Sequence, residues 1–119
     1  MPKVLIVDDI RTDVRLIADV LRPQGYDCIQ ASNGTEALER ARAERPDLIL
    51  LDIVMPGQDG FATCRQLKRD PRTRDIPVVF VSSKNGDSDR FWGRKQGAAD
   101  YLAKPFTPSD LVAMVKRFA

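Results

Sequence analysis

At 119 residues the chain has the length of one domain, able to bury roughly two thirds of the surface its unfolded form exposes. Nineteen Lys and Arg against seventeen Asp and Glu leave a net charge of +2, too small an excess to point to nucleic acid or acidic lipid as a partner. Histidine is absent, which excludes Ser-His-Asp and Cys-His catalysis, His-ligated zinc and a phosphohistidine carrier.

The first element is the apolar run Lys3 to Val7 (KVLIV), a strand pattern that ends abruptly in two adjacent carboxylates, Asp8 and Asp9. Thr12 and Asp13 read as the opening of a helix in which Val14, Ile17, Ala18 and Leu21 recur at helical spacing until Pro23 and Gly25 stop it. A second strand near 27–31 precedes a helix marked by Ala37, Leu38 and Ala41 and closed before Pro46. A third strand near 47–51 (DLILL) leads to Asp52, and Phe61, Cys64 and Leu67 mark a helix that ends ahead of Asp70-Pro71. A fourth strand near 77–82 (PVVFVS) is followed by a less regular helix from about 87 to 96, with Gly97 as its left-handed terminator. A fifth strand near 100–103 (DYLA) precedes Thr107-Pro108-Ser109-Asp110, a cap with proline in the first turn, and Leu111, Val115 and Phe118 on one face.

Strict alternation of strand and helix implies right-handed crossovers and a parallel sheet covered on both faces, hence an α/β, doubly wound class. It also accounts for VLIV, LILL and VVFV being continuously apolar. Cys28 and Cys64 lie far apart without metal-ligand spacing and interrupt apolar patterns, as buried reduced thiols do. No apolar run reaches the length of a membrane span and no signal-peptide pattern opens the chain, so a soluble cytoplasmic protein is expected.

All strands of a parallel sheet end along one edge, where ligands bind. Strand 1 delivers Asp8 and Asp9 there, strand 3 delivers Asp52, strand 4 delivers Ser82 and Ser83, and Lys104-Pro105 follows strand 5. Carboxylates a few ångströms apart repel by about 4 kcal/mol per close pair at an effective dielectric near 20, so a cation should accompany them. Oxygen ligands without His or Cys suit Mg²⁺. A carboxylate, a hard metal, a hydroxyl and a lysine are together the parts for phosphoryl transfer to an aspartate, with Lys104 and the metal neutralising the phosphoryl oxygens and Ser82 donating to one of them.

Four stretches in order carry a family resemblance: VDD at Val7 to Asp9, LLDIVMPGQDG at Leu50 to Gly60, VVFVSS at Val78 to Ser83, and DYLAKPF at Asp100 to Phe106. Over essentially its whole length the chain resembles the receiver domain of bacterial two-component response regulators, of which the chemotaxis regulator CheY is the prototype. The resemblance implies a flavodoxin-like, three-layer α/β/α fold with strand order 2-1-3-4-5, spanning residues 1–119 as one receiver domain. It implies Asp52 as phosphoacceptor, Asp8, Asp9 and Asp52 with the Val54 backbone carbonyl as Mg²⁺ ligands, and Lys104 as the phosphoryl-contacting lysine. Ser82 is implied as the switch hydroxyl, Tyr101 as the switch aromatic, and Lys104-Pro105 as a cis peptide. Ser82 then moves toward the phosphoryl group, Tyr101 turns inward, and the surface of helix 4, strand 5 and helix 5 changes for a partner. Phe91 to Ala98 together with DIVMPG is similar to the regulators of PilH type, which serve a chemotaxis-like pathway for type IV pili and twitching motility. The implied partners are a CheA-like sensor histidine kinase and a downstream effector protein related to the pilus motor. Nucleic-acid binding and membrane insertion are not expected, and the chain should be a monomer or weak dimer.

Plainer readings stand beside these. Asp9 alone could be a helix cap, Ser82 a turn residue and Tyr101 an ordinary half-buried aromatic. Trp92 would be surface if its neighbour Phe91 fills the core, making a partner face with Arg90, Arg94, Lys95 and Tyr101; Arg72 and Arg74 look like a solvated loop. Three rival functions remain: an aspartate-nucleophile phosphohydrolase, which usually carries a second acid where Val54 stands; a nucleotide-binding module, which lacks its glycine-rich loop here; and a receiver cut from a longer kinase or transcription factor.

Overall fold

The computed structural model describes residues 1–119 as β1 (Lys3–Val7), α1 (Arg11–Leu21), β2 (Asp27–Ala31), α2 (Gly34–Glu44), β3 (Leu48–Leu51), α3 (Gly60–Arg69), β4 (Val78–Ser82), α4 (Asp87–Lys95), β5 (Asp100–Ala103) and α5 (Pro108–Lys116). A short 3-10 turn, Arg22–Gln24, ends α1, and Gly25 turns the chain out of it at φ 93°. All strand pairs are parallel and the order is β2-β1-β3-β4-β5, the doubly wound topology expected.

Successive side chains of the central strands point to opposite faces, which divides the core in two. Leu5, Val7, Ile49, Leu51, Val78 and Phe80 pack with Ala37, Ala41, Phe61, Cys64 and Leu67 of α2 and α3. Val4, Ile6, Leu48, Leu50, Val79 and Val81 pack with Val14, Ile17 and Leu21 of α1 and Leu111 and Val115 of α5. Helices on both faces of one sheet give the three-layer architecture, and no helix is long and apolar enough to cross a membrane.

Small departures from the sequence expectations have local causes. Pro77 stays outside β4 because proline has no N–H to donate, although its carbonyl still accepts from Ile49 N. Asp47 is outside β3, its carboxylate taken by the Lys3 N–H at 2.7 Å. Phe91 does not fill the core: it is 62% exposed. The buried position of α4 is Gly93, where an added Cβ would lie 3.0 Å from the Phe80 ring. Bulk at this contact comes from the sheet side, through Phe80 and its edge contact with Phe61, so α4 offers backbone instead of a side chain. Cys64 is fully buried, whereas Cys28 is only partly so, and both thiols are free.

Candidate functional site at the carboxyl edge of the sheet

The register aligns the strand ends: Val7 lies beside Ala31 and Leu51, Leu51 beside Phe80, and Ser82 beside Ala103. The ladder then runs one residue past three strands. Asp8 N donates to Ala31 O (3.1 Å), Asp52 N to Val7 O (3.0 Å) and Lys104 N to Ser82 O (3.0 Å). Each site residue therefore keeps the backbone rigidity of a strand while its side chain leaves the core.

Lys104 is the hub. Its ammonium donates to Asp8 Oδ2 at 2.7 Å, Asp13 Oδ2 at 2.8 Å and Asp52 Oδ2 at 3.2 Å. Asp8 and Asp52 are buried, at 4% and 5% exposure. Burial pushes the Asp8 carboxyl above its ordinary range against the opposing pull of Lys104. For Lys104 burial acts to lower the ammonium's pKa, but its hydrogen bonds to Asp13 and Asp8 and the charge of Asp52 outweigh it, and the net shift is upward. The Lys104–Pro105 peptide is cis.

Asp13 was expected only to open α1, and the structure corrects this: it is the third carboxylate on Lys104. Its position four residues after Asp9, one turn into a helix that starts at the strand end, was the available signal. Asp9 is exposed and caps nothing, since the N-cap of α1 is Ile10 without a side-chain cap bond; Ile10 N donates instead to Asp8 Oδ1 at 2.9 Å.

The Asp52 carboxylate also accepts the Ile53 N–H at 2.7 Å and, more distantly, the Val54 N–H at 3.4 Å. Gly60 N donates to Ile53 O at 2.8 Å, which folds the loop after β3 back under α3. Val54 itself is 61% exposed beside a cleft of about 510 Å³ lined by Met55, Phe61, Lys84, Asp89 and Trp92.

Four carboxylates, Asp8, Asp9, Asp13 and Asp52, stand at this edge against one ammonium, so a surplus of negative charge remains. No three acidic side chains are gathered so as to enclose an ion by themselves. An all-oxygen donor set with surplus charge and few protein ligands fits Mg²⁺, which keeps most of its waters.

Ser82 is fully buried, and its hydroxyl accepts the Lys84 N–H at 3.2 Å instead of contacting Asp52. Tyr101 was expected to turn inward on activation and to lie on the partner face; here it is already inward, 5% exposed. Its ring packs on Phe80 at 5.6 Å, the Arg90 guanidinium lies 5.2 Å from the ring centre, and its hydroxyl donates to the Lys84 carbonyl. Burial, followed by the charge of Asp89, pushes the phenol up to about 12. Tyr101 is therefore not at the surface, whereas Trp92 is 50% exposed, Arg94 and Lys95 are exposed and Arg90 is half-buried. Arg72 is exposed but not free, because it grips Asp70 through its backbone N–H at 2.8 Å and its guanidinium at 3.1 and 3.2 Å.

The fold and site have recognisable relatives. The sequence model described as "Response regulator receiver domain" matches residues 4–116. The chain is 42% identical over 115 residues to Protein PilH of Pseudomonas aeruginosa, covering 97% of this chain and 95% of that protein. It is 46% identical over 114 residues to the response regulator PleD of Caulobacter vibrioides, covering 96% of this chain but only 25% of PleD. Among solved structures, chemotaxis protein CheY4 of Vibrio cholerae superposes with a TM-score of 0.94 at 29% identity over 100% of this chain and 99% of that one. The activated receiver domain of RstA from Klebsiella pneumoniae superposes with a TM-score of 0.91 at 33% identity, covering 98% and 97%. The chain belongs to the response regulator receiver domain family, the phosphorylation-activated switch of two-component signalling.

Proposed function

We propose that Asp52 is the phosphoacceptor of this receiver and that the phosphoryl group comes from a partner histidine kinase, with residues 1–119 acting as one switching unit. The observation that carries this is the Lys104 ammonium held within hydrogen-bond reach of both Asp8 and Asp52 at the carboxyl edge of the sheet. One Asp52 oxygen attacks phosphorus of the phosphohistidine, the imidazole leaves, and an aspartyl phosphate forms. Lys104 donates to the new phosphoryl oxygens, and the backbone N–H groups of Ile53 and Val54, already aimed at the carboxylate, orient it. Asp8, Asp9, Asp52 and the Val54 carbonyl would hold Mg²⁺, which when bound supplies positive charge to the transferring group. Ser82 would donate its hydroxyl to a phosphoryl oxygen by releasing the Lys84 N–H, so the loop after β4 would move with it. Val54, with no acid or base in its side chain, supports a phosphoacceptor over a phosphohydrolase.

The full-length likeness to PilH supports placing the chain in a chemotaxis-like pathway for type IV pilus twitching motility, with a CheA-like kinase upstream and a pilus-related effector downstream. The face of Arg90, Trp92, Arg94 and Lys95 is the proposed effector contact. To move the switch from about 1% to 99% active, phosphorylation must favour the active state by roughly 5.5 kcal/mol.

The test is intact mass after incubation with acetyl phosphate, with and without Mg²⁺, on wild type, Asp8→Asn and Lys104→Ala. One added phosphoryl group that needs Mg²⁺ and is depleted in both variants is expected. Undiminished labelling without Mg²⁺ or without Lys104 would contradict the assigned roles.

A further inference from the structure

An ammonium has three N–H groups, and those of Lys104 are all taken: by Asp8 at 2.7 Å, Asp13 at 2.8 Å and Asp52 at 3.2 Å. The two short bonds draw the ammonium toward β1 and α1; the long one goes to the acceptor. Asp8 has a second duty as acceptor of the Ile10 N–H, whereas Lys104 is the one hydrogen-bond partner of the Asp13 side chain. Asp13 is also the most open of the three, its side chain 32% exposed against 3% for Asp8 and 7% for Asp52. It lines a pocket of about 280 Å³ together with Leu16, Ser83, Lys104, Pro105 and Phe106.

We propose that Asp13 is a positioning residue that competes with the phosphoryl group for Lys104 and so weakens the phosphorylated state. The inference rests on Asp52 being the acceptor. A phosphoryl group on Asp52 needs the Lys104 donors at its own oxygens, and each donor held by Asp13 is one it must win back. The Asp13 charge also opposes a second anion a few ångströms away, so both effects have the same sign. For a divalent cation the sign reverses, because every carboxylate near the site favours it. A part in helix stability alone, as an acid in the first turn of α1, would give neither pattern.

The test is calorimetric titration of the full chain with beryllofluoride, a phosphoryl mimic, at saturating Mg²⁺, and separately with Mg²⁺ alone, on wild type, Asp13→Asn, Asp13→Ala and Asp13→Glu. Removing the carboxylate should tighten beryllofluoride binding about three- to fivefold, the worth of one partly exposed ion pair, while Mg²⁺ alone binds no more tightly. Asp13→Glu should return both affinities toward wild type. Equal or weaker beryllofluoride binding in both Asn and Ala variants, with thermal midpoints near wild type, would overturn the proposal. Wild type that binds no beryllofluoride at all would overturn the acceptor assignment, and this inference with it.

Discussion

Gly60 stands where the loop after β3 enters α3, and nothing larger fits there. A Cβ built on it lies 2.2 Å from the Asp52 carbonyl oxygen, 2.7 Å from the Ile53 Cα and 2.9 Å from the Asp52 carbonyl carbon. All three are backbone atoms, so no rotamer change relieves them. Judged by helix propensity, Gly60→Ala should stabilise by up to about 1 kcal/mol. Overpacking costs about 1–3 kcal/mol or more, and contacts this short against backbone belong at the upper end, for a net loss of about 2–3 kcal/mol. With an unfolding entropy near 2.1 cal/mol/K per residue, a chain of 119 residues has about 0.25 kcal/mol/K in total, so the thermal midpoint should fall by about 8–12 °C. Because the clash is with the peptide of Asp52 itself, beryllofluoride affinity should fall further than the unfolded fraction explains. Circular-dichroism melting with beryllofluoride titration below the transition measures both. A midpoint equal to or above wild type would refute the close-approach argument.

The grip of Arg72, through its guanidinium and its N–H, and then of Arg42 holds the Asp70 carboxyl well below the usual carboxylate range. A depressed folded pKa contributes stability that is complete above the unfolded value near 3.9 and is lost as pH falls through the folded one. The urea midpoint of Asp70→Asn should therefore lie below wild type at pH 7 and approach it as pH drops below about 4; a gap independent of pH would contradict the bond pattern. Burial pushes the Cys64 thiol up to about 11 and also raises that of partly buried Cys28. In native protein a thiol reagent at pH 8 should label Cys28 slowly and Cys64 only on unfolding, and peptide mapping that finds Cys64 labelled first would be wrong for this core.

The strand ends were legible because period and position coincide there. Continuous apolar runs marked a sheet buried on both faces, and the first polar residue after each run is the one whose N–H prolongs the ladder: Asp8, Asp52 and Lys104. The cap of α5 was equally plain, since Thr107 and Asp110 bond reciprocally as their spacing foretells. Asp13 was hard to read beyond its spacing from Asp9, because an acid in the first turn of a helix is ordinary on electrostatic grounds and only the Lys104 side chain, reaching from the end of β5, ties it to the site. Phe91 misled for the opposite reason: a large aromatic normally outcompetes glycine for the core, but Phe80 and Phe61 already fill the space beneath Gly93. The placement of Tyr101 depends on Phe80, Arg90 and Lys84 together, three contacts from three parts of the chain that no local pattern encodes.

The acceptor residue is tested most directly by labelling with acetyl phosphate and Mg²⁺, reducing with sodium borohydride, and sequencing the tryptic peptides by mass spectrometry. Borohydride converts an aspartyl phosphate to homoserine and leaves free carboxylates unchanged. Homoserine at position 52, absent when acetyl phosphate is omitted and absent in Asp52→Asn, is the expected result. Homoserine at Asp8, Asp9 or Asp13 with Asp52 intact would contradict it and move the chemistry to another carboxylate of the same cluster.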